Sequence, residues 1–471
     1  VRVVLISTYE LGRQPFGLAS PAAWLRREGF EVVCMDLAVE ELSEEAIRAA
    51  EVVAFYVPMH TATRLAIPLL AKIRELNPAV SICFYGLYAP LNEKYLRELG
   101  VEVILGGEFE EGLVHFCKRF YREIEKAYSE VRDLPAQVPR PRPSKQVEPI
   151  ISRNRQQFLV PDRWDLPDLS NYAQLYTGQG SSRKVGYVEA SRGCKHFCRH
   201  CPIVPIYQGK FRIVQPEVVL QDIRQQVEAG ARHITFGDPD FFNGIGHAIP
   251  LVQALHREYP DLSYDVTIKV EHLLKYASYL PILRETGCVI VTTAVESIDN
   301  QVLEILNKGH TREDFIKVVQ LFREYKMTLN PTFIAFSPWT TLEGYQELLT
   351  LLDDLNLVDH VAPIQLAIRL LIPEGSKLLE LPEVKALIGP FEVERLSYRW
   401  THRDPRVEQL YQEVTQLVRK GIMKKSTRRE IFDAIRSCVH RALNQPESPK
   451  KPSDPSYSSA TVPYLSEPWY C

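Results

Sequence analysis

The chain has 471 residues, enough for two to four domains, and its 45% hydrophobic and 24% charged residues are ordinary for a globular protein. A net charge of −3 argues against a dedicated nucleic-acid binder, which is usually basic overall. No apolar run reaches the roughly 18 residues of a membrane span, and the sequence opens on the strand-like VRVVLIST with no signal peptide ahead of it.

Residues 1–126 alternate strand and helix patterns. Val1–Ser7 is apolar and β-branched. A loop with Gly12 and Gly17 leads to a helix from Pro21 to Glu28, with Ser20 as N-cap and Pro21 at the first position. Strands follow at Glu31–Met35, Val52–Val57, Ser81–Tyr85 and Val101–Leu105, with helices at Ser43–Ala50, Thr61–Leu76, Leu91–Leu99 and Glu110–Lys126. This alternation predicts an α/β fold with a doubly wound parallel sheet, whose ligands bind at the carboxyl ends of the strands. The loops there read Tyr9-Glu10-Leu11-Gly12, Pro58-Met59-His60-Thr61, Gly86-Leu87-Tyr88-Ala89-Pro90 and Gly106-Gly107-Glu108. Their glycines let backbone approach a flat or phosphate-bearing ligand. No GxGxxG follows the first strand, which argues against NAD.

Residues 127–184 read as a linker, because Leu134–Pro149 is proline-rich and basic. Within it, Arg163–Leu175 carries aromatic and apolar anchors suited to a domain junction.

Cys194, Cys198 and Cys201 then fall within YVEASRGCKHFCRHCPIVPIY (Tyr187–Tyr207). Soft thiolates this close suit an iron–sulfur or zinc site. Zinc wants a fourth ligand and usually C-x2-C pairs; here the spacing is C-x3-C-x2-C and the next cysteine is Cys288. A four-iron cluster on three cysteines keeps one iron open for a small molecule. The nine cysteines are no disulfide framework: the clustered triplet and the absent signal point to a reducing cytoplasm, and the isolated ones read as small buried hydrophobes. Strand–helix units continue over residues 185–380, with strands at His233–Phe236, Ser263–Val270, Cys288–Val295, Leu329–Ala335 and Ile364–Ile372. They predict a partial (β/α)6 barrel, with Cys194, Asp238, Lys269 and Glu296 at strand ends.

The cysteine spacing resembles the signature of the radical S-adenosylmethionine (SAM) superfamily. That resemblance implies a [4Fe–4S] cluster on Cys194, Cys198 and Cys201, SAM bound to the open iron, and an electron from a flavodoxin- or ferredoxin-type donor cleaving it to a 5′-deoxyadenosyl radical. Gly237, Asp238, Pro239 and Asp240 would receive the SAM amino group, Lys269 its carboxylate, Glu296 and Ser297 further contacts, and Gly375 the adenine. Ahead of the triplet, residues 1–126 resemble a cobalamin-binding domain, which implies cobalamin contacts at Gly86, Leu87, Tyr88, Gly106, Gly107 and Glu108. The usual DxHxxG cobalt-ligating loop is replaced by STYELGRQPFG, which leaves His60, Thr61 and Arg64 as residues near the cobalt face. Methyl transfer to carbon and methyl-free radical chemistry on an unknown small molecule or peptide both remain open. So does a non-catalytic SAM- or cobalamin-binding regulator. A transfer-RNA methylthiolation enzyme is disfavoured, since extra upstream cluster cysteines and a basic C-terminal module are missing.

Residues 381–445 read as a helical annex, with amphipathic helices at Val407–Lys420 and Thr427–Asn444, and residues 446–471 as an extended tail rich in proline and serine. Together with VPMHTATRLAIP and FYGLYAPLN, the ending SEPWYC resembles radical SAM proteins with a CUAEP or CCAEP tail, where U is selenocysteine. In that reading Cys471 is the tail's first, catalytic residue, and the initial Val is a start codon translated literally.

Overall fold

The computed structural model describes residues 1–130, 145–177, 181–446 and 462–466. Strands β1 (Arg2–Ser7), β2 (Glu31–Asp36), β3 (Val52–Tyr56), β4 (Ser81–Tyr85), β5 (Val103–Gly107) and β6 (Ile151–Ser152) form a parallel sheet in the order β2-β1-β3-β4-β5-β6. Every residue of β3, β4 and β5 is buried, because helices cover both faces and leave no strand position in water. Val3, Leu5 and Tyr85 pack on one face, and Val4, Ile6 and Phe84 on the other.

The helix after β1 spans Phe16–Arg27, so it starts ahead of the expected Pro21 and holds that proline inside. Pro21 has no N–H for the Gly17 carbonyl one turn back, and the Tyr85 hydroxyl donates there instead at 2.7 Å. Ser20 is therefore no cap; its hydroxyl donates to Glu110 Oε1 at 2.7 Å. The helix expected over 61–76 breaks into His60–Ala66 and Leu69–Leu76 around Pro68, which cannot continue the ladder.

Of the stretch read as linker, residues 131–144 lie outside the described ones, and the remainder packs rather than spaces. The Gln146 side-chain amide imitates a strand against Ile104, accepting from its N–H at 3.0 Å and donating to its carbonyl at 2.8 Å. Arg163 is a buried staple: it makes paired bonds to Asp222 at 2.7 and 2.9 Å and donates to Gln14 Oε1 and the Tyr187 carbonyl, both at 2.8 Å. Trp164, an expected anchor, is 75% exposed, whereas Leu169 and Tyr172 are buried.

The second sheet contains β7 (Gln174–Thr177), β8 (Ser181–Val188), β11 (His233–Phe236), β12 (Ser263–Thr267), β13 (Cys288–Glu296), β14 (Leu329–Phe333) and β17 (Tyr464–Leu465). A separate ribbon pairs β9 (Ser191–Gly193) with β10 (Phe211–Ile213), and a hairpin pairs β15 (Ile388–Glu392) with β16 (Ser397–Trp400). From β8 to β14 the sheet is parallel, with helices outside, and curls into a half-barrel; β7 and β17 add antiparallel at its edge. The expected strand over 364–372 is reduced to one bridge, Phe336 to Arg369, after a 3-10 turn at Pro363–Ala367. The Gln365 side chain accepts from the Phe333 N–H at 3.1 Å, where a sixth strand would have paired. The annex helices span Pro405–Met423 and Arg428–Ala442. No helix among the described residues is long and apolar enough to cross a membrane.

Candidate active site

The β9–β10 ribbon clasps the cysteine loop at its root, with Gly193 opposite Phe211 and Ser191 opposite Ile213. Gly193 sits at φ +74, where a Cβ would strike the Lys210 carbonyl and the Tyr207 ring. Cys194, Cys198 and Cys201 open onto a cavity of about 520 Å³ that runs between the two sheets and down the half-barrel. Its upper wall is Glu10, His60, Thr61, Gly86, Leu87, Tyr88 and Gly107 from the first sheet. Its waist holds the cysteines with Gly237, Asp238, Pro239, Asp240, Lys269 and Glu296, and its foot reaches Thr328, Arg428 and Tyr464.

Charged side chains at the waist are interlocked. Glu296, at φ +68 beside a register shift in β13, accepts from His200 Nε2 at 3.2 Å and from Lys308 Nζ at 3.3 Å. Burial would raise its carboxyl, but the Lys308 ammonium and His200 overcome it and hold it at about 2. Lys308 is itself buried, and Glu296 keeps its pKa raised against that burial. Asp240 Oδ2 accepts from His196 Nε2 at 3.2 Å, and His272 Nδ1 lies 2.6 Å from the same oxygen. Burial opposes this anion too, yet the two imidazoles bring it down to about 2. Lys269 Nζ donates to His196 Nδ1 at 3.1 Å and to Glu271 at 3.2 Å. Asp238 turns inward instead: it accepts from the Ala190 N–H at 3.0 Å and from the Ser191 hydroxyl, and burial pushes it up to about 7. It ties the end of β11 to the start of the cysteine loop.

The three thiols fit a cluster better than one zinc ion. Tetrahedral zinc gathers sulfurs to within about 4 Å of one another, whereas among the described residues the three sulfurs do not come together within 4.8 Å. Burial raises the thiol pKa of Cys194 and Cys201, so the thiolate form needs a cationic centre. Asn243 Nδ2 stands 3.6 Å from Cys194 Sγ as a donor to that sulfur. The other cysteines of the described residues are buried elsewhere, so the cavity offers no fourth thiol from them.

Several expected site residues lie off the cavity wall. Arg64 donates to the Glu394 carbonyl at 3.2 Å, and His60, though on the wall, turns its Nε2 to the Arg395 carbonyl. Gly106 packs on Pro90, and Gly107, which does reach the wall, sits at φ +69 with Ser152 behind it. Glu108 lies behind the wall, and burial pushes its carboxyl up to about 7 against the pull of Arg192. The Ser297 hydroxyl caps Asp299 at 3.1 Å, and Gly375 at φ +78 meets Leu91 of the first domain. Cys471 lies outside the described residues. Sequence reasoning passed over Lys308, Asn243 and Arg192; the lysine was legible in the stretch Asn307-Lys308-Gly309, but its partner was not. Arg192 takes carboxylates from both domains: Glu110 at 2.7 Å, Glu189 at 2.7 Å and Glu108 at 3.3 Å.

Residues 188–352 match the family described as the Radical SAM superfamily. Over 183 residues the chain is 28% identical to a tRNA-2-methylthio-N(6)-dimethylallyladenosine synthase of Staphylococcus epidermidis, covering 36% of this chain and 35% of that protein. A synthase of the same name from Desulfosudis oleivorans is 24% identical over 54% of this chain and 55% of its own. The chain thus spans about a third to a half of these curated relatives. Among solved structures it superposes on the cobalamin-dependent radical SAM enzyme OxsB, with aqua-cobalamin and S-adenosylmethionine bound, at a TM-score of 0.66 and 16% identity, over 89% of this chain and 67% of that one. The radical SAM methyltransferase TsrM of Kitasatospora setae, bound to tryptophan and a SAM analogue, gives 0.58 and 18% over 75% and 71%. At such identities the likeness is one of fold.

Proposed function

We propose that the chain, an enzyme built on a radical SAM domain, is a cobalamin-dependent one that methylates a carbon of its substrate. Cys194, Cys198 and Cys201 would hold the [4Fe–4S] cluster, SAM would lie at the cavity waist, and the corrinoid would lie against the loops of the first sheet. When bound, these groups supply the electron that cleaves the SAM sulfonium, the 5′-deoxyadenosyl radical that takes a hydrogen atom, and the methyl group. The chain's own residues orient and shield. Asp240 and Lys269 offer an anion and a cation for the two ends of the methionyl group, and Glu296 offers acceptors for hydroxyls. Lys308 and His200 keep Glu296 ionised, and Asp238 fixes the loop that carries Cys194.

The observation that carries this reading is the single cavity joining the cysteines to the carboxyl edge of the first sheet, where doubly wound sheets bind their ligands. The sequence relatives favour a second reading, methylthio transfer to a transfer RNA, through matches that cover 36% and 54% of this chain. Anaerobically reconstituted protein separates the two. Stoichiometric cobalt with a corrinoid spectrum, and 5′-deoxyadenosine formed on reduction, are expected. Iron without any retention of cobalt would sink the cobalamin assignment while leaving radical SAM chemistry in place.

A further inference from the structure

Glu10 stands in the loop between β1 and the helix Phe16–Arg27, and the waist described above makes no use of it. The loop is tightly set. Leu11 and Gly12 are both left-handed, at φ +53 and +67, and the Arg13 N–H closes a turn onto the Glu10 carbonyl at 3.0 Å. A leucine at positive φ is strained, which singles out the loop. Thr8 is pinned to the Ala62 carbonyl at 2.8 Å, and the Ala173 N–H to the Gly12 carbonyl at 2.8 Å. This fixed turn sends Glu10 and Arg13 to the same cavity wall.

Glu10 is 6% exposed, and its Oε2 is buried with no hydrogen-bond partner. Buried carboxyl oxygens are rarely left so, since an unmade bond forfeits the cost of desolvation. Burial, then the neighbouring Glu189, raise its pKa well above the ordinary value, against the pull of Arg13. Arg13 lies 4.9 Å from the Tyr187 ring and brings N–H donors to the same wall. An acceptor and a donor side by side are the complement of a primary amide, which offers an N–H and a carbonyl together. An ammonium would leave the arginine without an acceptor.

We propose that Glu10, seconded by Arg13, anchors a primary amide of the ligand held between the two sheets. This rests on the cobalamin reading above and deepens it, because the rim of a corrin carries primary amides. Glu10 becomes a residue that selects the amidated rim.

The test compares cyanocobalamin with its b-, d- and e-monocarboxylic acids, in each of which one rim amide is a carboxylate. Affinities come from absorbance titration of the full chain, wild type and Glu10→Gln. The wild type is expected to bind one of the three acids roughly 10- to 100-fold more weakly than cyanocobalamin, the scale of a charge-assisted hydrogen bond lost. Glu10→Gln is expected to bind cyanocobalamin more weakly and to close most of that gap, because glutamine can donate to a carboxylate. The wild-type comparison needs no variant and stands even if Glu10→Gln folds poorly. Affinity for cyanocobalamin unchanged in Glu10→Gln, or a gap that survives Glu10→Gln, overturns the assignment of Glu10 and leaves the cobalamin reading intact. If the wild type binds no corrinoid at all, both fall.

Discussion

The two walls of the cavity are built on opposite plans. On the barrel side each key charge already has its partner: Glu296 has His200 and Lys308, and Asp240 has His196 and His272. On the sheet side the wall is mostly backbone and apolar surface from Met59, Gly86, Leu87 and Gly107, and a buried carboxyl oxygen of Glu10 is unpartnered. A site that directs a reactive radical gains from charges fixed before the reaction, since none must reorganise during it. A site that seats a large cofactor keeps its unmet bonds for the cofactor. The walls meet at Arg192, two residues before Cys194, where carboxylates of both domains converge on one guanidinium.

The comparison breaks most completely at the cysteines. Cys194→Ala removes one of the three thiols proposed to hold the cluster, and it is expected to abolish 5′-deoxyadenosine formation and the broad visible absorption of the reconstituted cluster. The corrinoid binding proposed for the far wall should survive. Loss of both together would mean that the walls are not independent sites.

Arg192 is the next largest test. Its guanidinium is buried and also lies 5.0 Å from the Phe158 ring and 5.3 Å from that of Phe109. Arg192→Met leaves the buried Glu110 and the partly buried Glu189 without their cation, a change on the order of 3–5 kcal/mol. Urea unfolding should shift by that amount, with the two domains separating into distinct transitions. A loss under about 1 kcal/mol would show that the seam is held by apolar packing alone, such as Tyr88 and Leu91 against Ile206 and Tyr207.

Lys308 tests the pairing within one wall. Lys308→Met strands the partly buried Glu296 anion and should cost about 3 kcal/mol, while adding Glu296→Gln should recover most of it. The pH dependence has a definite sign. Glu296 titrates at about 2 in the folded chain against an ordinary 4.5, so its contribution is fully present above pH 4.5 and falls away as the pH drops toward 2. Lys308, raised above 10.5, contributes below that pH and loses its share only in stronger base. The Glu296→Gln variant should therefore lose stability less steeply in acid, as followed by fluorescence-detected unfolding between pH 5 and pH 2 (about the range of the carboxyl's release).

Much of this architecture was legible because it follows from local pattern. Unbroken apolar strands announced the parallel sheets, and the C-x3-C-x2-C spacing announced the radical SAM domain. What stayed hidden depends on contacts distant in sequence. Nothing near Pro21 says that Tyr85 will satisfy the carbonyl it leaves free, so the helix start was misread. Nothing near Gln365 says that its side chain will take the place of a strand. At the site, Asp238 and Asp240 sit two residues apart with the same chemistry, yet one faces the loop backbone at about 7 and the other two imidazoles at about 2. Only the fold separates them.

The smallest expected effect concerns the foot of the cavity, where the two plans give way to a strap. Leu465 and Tyr464 pair with Leu175 and Tyr176 on the edge of the second sheet, and Ser466 bonds Gln174 in both directions, at 2.8 and 2.9 Å. The Tyr464 ring stacks on Tyr176 at 5.3 Å with Arg428 over it at 5.2 Å. An exposed ring pair and a cation–π contact are each worth about 0.5–1 kcal/mol, against the much larger penalties at Arg192 and Lys308. Tyr464→Ala should thus leave global unfolding nearly unchanged. Backbone amides of residues 174–177 should nonetheless exchange hydrogen about tenfold faster, because a free-energy loss of about 1.4 kcal/mol at a local opening is a factor of ten. Exchange read by mass spectrometry on that peptide decides it. Unchanged protection there would mean that β7 is held by β8 alone and that the strap closes nothing.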